Sequence, residues 1–272
     1  MLVTGATGRL GPLLRTAFAR GVADPVTPVF AARKLPADLL LDDDDTPPDL
    51  PPCKTVLALW GQTTGDTSHL AQNTQLAHRS RALAIACGAR RVLHLSSAAI
   101  YGPGTDMDEA HIPAPDGAYG QAKLEMEKTV AGFATDCARH TCLRLANVVG
   151  ADSLSPALRS DAPVGLDRFP DGTGPLRSYI SPGDLARVIS ALAQLPPDVL
   201  PDLLNVAAPA PVSMQALALA AGKDILWQTA PDRATQVVTL STKRLASLLP
   251  GLILHTTAAQ MIADWHSLRG PQ

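Results

Sequence analysis

The stretch "DGAYGQAKLEME", Asp116 to Glu127, places a tyrosine four residues ahead of a lysine. On a helix that spacing puts Tyr119 and Lys123 on one face. A phenol and an ammonium make a poor core pair, because the ammonium must be paired or solvated. They make a useful pair for proton transfer, because the positive charge favours phenolate. The same spacing also fits a surface tyrosine and lysine on an amphipathic helix. The rest of the chain has to separate the two readings.

A second stretch, "TGATGRLG", sets Gly5, Gly8 and Gly11 around Thr7, Arg9 and Leu10. It follows a short apolar run and opens a helical pattern. Glycines there permit a tight turn and let backbone N–H groups approach a pyrophosphate, to which the helix N-terminus adds positive potential. That context is what a dinucleotide-binding loop requires. The next β-rich run, "PVTPVFAAR", ends at Arg33. An arginine at this point suits a 2′-phosphate, where an acid would suit free ribose hydroxyls. Arg33 therefore favours NADP over NAD, the alternative being an exposed basic loop. Asp42, after the following apolar run, is placed to accept from an adenine amine. The other aspartates of "DDDD" read as a solvated turn.

The elements that would hold these residues alternate. "MLVTG", "PVTPVFAAR", "KTVLALW", "RRVLHLSS" and "TCLRLANVVG" read as strands, and "LPADLLLD" holds a short one. "RLGPLLRTAFARG" and "HLAQNTQLAHRSRALAIACGA" read as helices stopped by glycine. The helix carrying Tyr119 runs to about His140. Continuous apolar strands alternating with helices imply a parallel sheet covered on both faces. The expected fold is α/β, a Rossmann-type doubly wound sheet over residues 1–150. A smaller substrate lobe over 151–272 sends segments back to the main sheet. In that lobe Asp152–Gly174 is polar and rich in Pro, Gly and Asp. "SPGDLARVISALAQL" reads as a helix capped by Ser181.

Bulk properties narrow the function classes. With 272 residues and 46% hydrophobic side chains the chain can bury a sizeable core. A net charge of −2 gives no electrostatic case for nucleic acid or an anionic membrane. No apolar run reaches membrane-span length, and the opening "MLVTGATG" lacks the basic and apolar regions of a secretion signal. The four cysteines (Cys53, Cys87, Cys137, Cys142) form no C-x-x-C and read as reduced thiols of a cytoplasmic protein. The seven histidines show no metal-ligand spacing, and no metal is expected.

In order along the chain, "TGATGRLG", "LSSAAIYG", "YGQAK", "LRLANVVG", "RSYISPGDLARV" and "LNVAA" resemble motifs of the extended short-chain dehydrogenase/reductase family. The branch is that of the NAD-dependent epimerases and dehydratases of nucleotide sugars. The resemblance covers residues 1 to about 210, and it implies roles. Tyr119 is the acid/base, and Lys123 lowers its pKa and holds the nicotinamide ribose. Ser97 hydrogen-bonds the substrate oxygen, with Ser96 the nearest competitor. Arg9 and Leu10 offer N–H groups to the pyrophosphate. Leu59, Trp60 and Gly61 line the adenosine side, and Leu145 sits near the carboxamide. Asn147 and Arg177 contact the substrate's diphosphate, although Arg177 would also suit a salt bridge to Asp184. The helices at about Leu70–Cys87 and Tyr119–Ala138 imply a homodimer.

Two departures temper the match. Arg177-Ser178-Tyr179 replaces the family's Arg-Asp-Phe, and the substrate lobe is short. The resemblance thus implies an NAD(P)-dependent epimerase/dehydratase-type oxidoreductase acting on a nucleotide-linked sugar. A trimmed lobe would also suit an NADPH-dependent reductase of a small non-sugar carbonyl. A dinucleotide-binding regulatory protein without turnover is the third reading, against which Ser97, Tyr119 and Lys123 together argue.

Overall fold

Short apolar strands that cannot show either face to water fix the centre of the molecule. The computed structural model describes residues 1–23, 26–41, 50–133 and 138–269. In chain order the first part comprises β1 (Leu2–Val3), α1 (Gly11–Ala19), β2 (Val29–Ala32), β3 (Leu39–Leu40), β4 (Thr55–Ala58) and α2 (Thr67–Cys87). It continues with β5 (Arg91–Ser97), β6 (Gly104–Met107), α3 (Ala118–Ala131), β7 (Arg139–Leu145) and β8 (Asn147–Val148).

The second part holds α4 (Ser155–Arg159), β9 (Val164–Arg168), β10 (Leu176–Arg177), β11 (Tyr179–Ile180), α5 (Pro182–Gln194) and β12 (Leu203–Val206). After these come β13 (Val212–Ser213), α6 (Met214–Ala220), β14 (Ile225–Thr229), β15 (Val237–Leu240), α7 (Lys243–Leu248) and α8 (Ala258–Leu268).

Seven strands form the main sheet in the order β12-β7-β5-β4-β1-β2-β3, and every neighbouring pair is parallel. Strand order reverses between β1 and β4. In such sheets the ligand crevice opens at that point, beyond the carboxyl ends of the strands. One face packs Val3, Leu57, Leu93, Leu143 and Leu204 against Leu14 of α1 and Leu185 and Ile189 of α5. The other packs Leu2, Val56 and Val92 against Leu83 and Ala84 of α2. This is the doubly wound Rossmann-type architecture.

Residues beyond 150 contribute β12 to the main sheet and, together with β6 of the first part, build a smaller mixed sheet, β13-β10-β15-β6. Two further pairs, β8 with β11 and β9 with β14, are parallel. Ser181 caps α5, its hydroxyl accepting from the Asp184 N–H at 3.3 Å.

One expectation differs from the structure. The Tyr119 helix ends at Ala131, with Gly132 at its cap, while Arg139 and His140 already lie in β7. The polar segment 152–174 contains α4 and β9. Along α2 and α3, Leu70, Ala77, Leu83, Met126 and Val130 are buried within the chain, while Ile85 is exposed. No described helix is long and apolar enough to cross a membrane.

Candidate active site

The Gly-rich turn leaves β1 and meets the end of β4. Gly5 has φ +69°, and a β-carbon there would stand 2.7 Å from the Trp60 nitrogen. Only glycine serves, on both grounds. The turn closes on itself through Gly8 N–H to Gly5 O at 3.0 Å and Gly11 N–H to Gly8 O at 3.2 Å. Gly11 lies under the turn, where a β-carbon would meet the Ala6 carbonyl oxygen at 2.0 Å.

Above the turn opens a cleft of about 1100 Å³. Gly5, Thr7, Gly8, Arg9 and Leu10 line one end, with Arg33, Leu59, Trp60 and Gly61 beside them. Ser97, Tyr119, Lys123, Leu145, Asn147 and Arg177 line the rest. Of the expected site residues Gly11 alone is described and off the wall; Asp42 lies outside the described residues. Chain positions as distant as 5 and 177 therefore share one cavity.

Ser97 ends β5, and its oxygen accepts from the Ala99 N–H at 3.2 Å, which turns the chain sharply. Ser96 is spoken for elsewhere: its hydroxyl donates to Glu127 Oε1 at 2.5 Å. Burial raises the Tyr119 phenol above its ordinary range, while the Ser97 side chain, within hydrogen-bonding reach, works the other way. Lys123 is 3% exposed. Its Nζ donates to the Leu95 carbonyl oxygen at 2.9 Å and sits 6.0 Å from the Tyr119 ring centroid. Burial lowers this ammonium to about 8, which nearby Glu127 only partly offsets. Without a bound cofactor, desolvation dominates both groups.

Gly61 makes room for that ammonium, since a β-carbon there would stand 3.0 Å from Lys123 Nζ and 3.0 Å from Asn73 Oδ1. Buried Asn73 holds the loop, accepting from Gln62 N–H at 3.1 Å and donating to Gln62 O at 3.0 Å. Trp60 is more than packing. Its Nε1 donates to Ser80 Oγ at 2.9 Å, and the Arg79 guanidinium lies 5.3 Å from its ring.

Arg177 does not bridge to Asp184, which pairs with Arg187 and accepts from the His255 N–H at 2.7 Å. Its guanidinium donates instead to the carbonyls of Leu176 (2.8 Å), Gln236 (2.6 Å) and Thr235 (2.6 Å). These neutral partners anchor the fork without cancelling its charge. Asn147 lies near the buried Tyr179 hydroxyl, alongside Asp152.

Behind the site runs a buried polar network that motif reading did not reveal. Arg144 donates to both Glu127 oxygens, the closest at 2.8 Å, and to the Tyr101 hydroxyl at 2.8 Å. Tyr101 in turn donates to Asn205 Oδ1 at 2.8 Å. The network ties α3 to β5, β7 and β12 under Lys123. Its only sequence signal is polar residues at strand positions buried on both faces.

The model of the NAD dependent epimerase/dehydratase family matches residues 57–207. No curated protein sequence matches the chain. Among solved structures, MoeE5 in complex with UDP-glucuronic acid and NAD is similar at 22% identity and TM-score 0.78, over 98% of this chain and 97% of that one. A short-chain dehydrogenase/reductase superfamily protein from Agrobacterium tumefaciens with bound NAD is similar at 18% identity and TM-score 0.78, over 98% and 96%. UDP-glucose 4-epimerase from Brucella ovis in complex with NAD is similar at 19% identity and TM-score 0.75, over 98% and 97%. The chain belongs to the NAD dependent epimerase/dehydratase family and is an oxidoreductase-type enzyme.

Proposed function

We propose that this enzyme binds a nicotinamide dinucleotide in the cleft and acts on a nucleotide-linked sugar through Ser97, Tyr119 and Lys123. The observation that carries the proposal is their convergence beside a glycine turn that has room for a pyrophosphate. The residues fit the cofactor. Gly5 keeps the turn flat against β4, and Thr7, Gly8, Arg9 and Leu10 face the cleft. Lys123 has one oxygen partner among the described residues, so its remaining N–H donors suit ribose hydroxyls. Leu59, Trp60 and Gly61 would flank the adenosine, and Leu145 the carboxamide. When bound, the cofactor supplies a hydride acceptor and donor.

In this reading Ser97 orients a substrate hydroxyl and Tyr119 takes or returns its proton. The phenol starts protonated, because its pKa is raised by burial. Positive charge brought into the dry cleft would lower it. Arg177, anchored by neutral carbonyls, is the proposed diphosphate contact, since a guanidinium grips phosphate bidentately, with Asn147 beside it.

The nucleotide-sugar reading is supported by the family and by similar structures holding UDP-glucuronic acid or UDP-glucose with NAD. A thermal-shift screen of UDP-, GDP- and dTDP-sugars with cofactor present tests it, since ligands of the folded form raise its melting temperature. No shift with any nucleotide sugar, together with NADPH-dependent turnover of a small carbonyl, would favour the reductase reading that the short lobe suggests. Arg33 on the cleft wall, beside Lys34, supports NADP(H) over NAD(H). Fluorescence titration with both cofactors checks that preference.

The proposal extends to a two-fold homodimer through the outer faces of α2 and α3, where Ile85 is 69% exposed. Light scattering showing a monomer at tens of micromolar would remove it.

A further inference from the structure

A second cavity, of about 520 Å³, lies at the opposite edge of the sheet from the cleft. Its lining includes Cys53, Lys54, Thr27 and Arg91. The Cys53 Sγ stands 2.8 Å from the Cys87 Sγ, within about 0.8 Å of a disulfide bond length. The backbone already holds the two residues together, the Cys53 N–H donating to the Cys87 carbonyl at 3.0 Å. They come from different elements. Cys53 leads into β4, and Cys87 is the last residue of α2.

The two thiols differ in access. Cys53 is half-buried and opens on the cavity, while Cys87 is 4% exposed. We propose that Cys53 and Cys87 form a thiol–disulfide exchange site, with Cys53 as the attacking thiol, Cys87 as the resolving thiol and a small anionic disulfide such as oxidised glutathione as the co-reactant. Lys54 and Arg91 on the cavity wall complement the carboxylates of such a reagent.

The steps balance. The Cys53 thiolate attacks one sulfur of the reagent, forming a mixed disulfide and expelling the first small thiolate. Cys87 then gives up its proton and attacks the Cys53 sulfur, expelling the second small thiolate. Two electrons pass to the reagent, and two protons from the protein thiols end on the released thiols. The difference in access supports this assignment of roles, since Cys53 opens on the cavity and Cys87 is buried. The short contact between the sulfurs favours thiolate on the accessible Cys53, lowering its pKa, and a thiol with a lowered pKa is an effective attacker.

The bond would pin the end of α2 to the start of β4. Both elements reach the cleft, α2 through Gln72, Gln75 and Arg79 and β4 through the residues that follow it, Leu59 and Gly61.

The test is incubation of the full chain with oxidised glutathione, followed by intact mass and peptide mapping. Wild type is expected to lose two hydrogens and to yield a peptide linking Cys53 to Cys87. Cys87→Ser should stop at a glutathione adduct on Cys53, and Cys53→Ala should leave Cys87 unmodified. The oxidised wild type should melt higher than the reduced form by on the order of 5–10 °C. Four free thiols after incubation, or an adduct or crosslink mapping to Cys137 or Cys142 instead, would overturn the proposal. The mapping is read on wild type, so it does not depend on how the variants fold.

Discussion

The Lys123 ammonium donates to the Leu95 carbonyl oxygen at 2.9 Å, buried in the wall of the cleft rather than bonded to the tyrosine on its own helix. A charged group held there by one oxygen among the described residues is a thermodynamic burden. Desolvation brings its pKa down to about 8. The folded form binds the proton more weakly than the unfolded chain, so this group's contribution to stability improves as pH rises from 8 towards 10.5.

Lys123→Met should therefore stabilise the cofactor-free protein while abolishing useful turnover. Removing the buried charge recovers about 3 kcal/mol, and orphaning the Leu95 carbonyl offsets roughly 1–2. The net gain of about 1–2 kcal/mol should raise the melting temperature by a few degrees. Scanning calorimetry checks the gain and a cofactor titration checks the loss of ribose contact. A variant that melts lower would show that Lys123 is a structural residue.

Tyr119→Phe removes only the hydroxyl. Turnover should fall by about 10²–10⁴, with cofactor affinity nearly unchanged. Ser97→Ala should lose turnover too, while Ser96→Ala, which breaks the bond to Glu127, should act mainly on stability. All three tyrosines are pushed up by burial. Absorbance titration of the free protein should thus show its phenols ionising above the ordinary tyrosine range. Adding the oxidised cofactor should bring one phenol down, and Tyr119→Phe should delete that signal. A Tyr119→Phe enzyme of wild-type turnover would return the "YGQAK" spacing to a plain helix surface.

Gly5 and Gly61 should respond differently to the same added methyl group. At Gly5 the methyl meets rigid backbone of Trp60 in a left-handed conformation, so Gly5→Ala should lose cofactor binding and much of its soluble yield. At Gly61 it meets only side-chain ends, Lys123 Nζ and Asn73 Oδ1, each at 3.0 Å. Gly61→Ala should keep its fold and lose about 10–100-fold in turnover, because a displacement of about 1 Å at a reacting group is enough for that. Circular dichroism and kinetics on the two variants separate the cases.

His94 sets an acid limit. It is 1% exposed, bonded to His140 at 3.0 Å, and burial with that neighbour holds its pKa down to about 3. The unfolded chain takes up a proton near pH 6.5 that the folded chain refuses. Stability should fall by about 1.4 kcal/mol per pH unit as pH drops below 6.5 towards 3. His94→Gln should flatten that limb in urea melts. An unchanged limb would place the acid lability in other groups.

The sequence by itself determined the alternation that makes a parallel sheet, the glycine turn and the spacing of Tyr119 and Lys123. Each of these is local: a run of apolar residues, a stop at glycine, or a helical repeat carries its own reason. It also determined which serine to favour only through resemblance, since Ser96 and Ser97 are chemically alike. Tertiary structure decided that Ser96 turns to Glu127 and that Gly61 serves Lys123. It also decided that Arg177 rests on carbonyls about 60 residues away in sequence. These pairings, like Cys53 with Cys87 and Arg144 with Glu127, depend on which strand lies beside which. Strand order is a property of the whole chain's burial, and no window of sequence contains it.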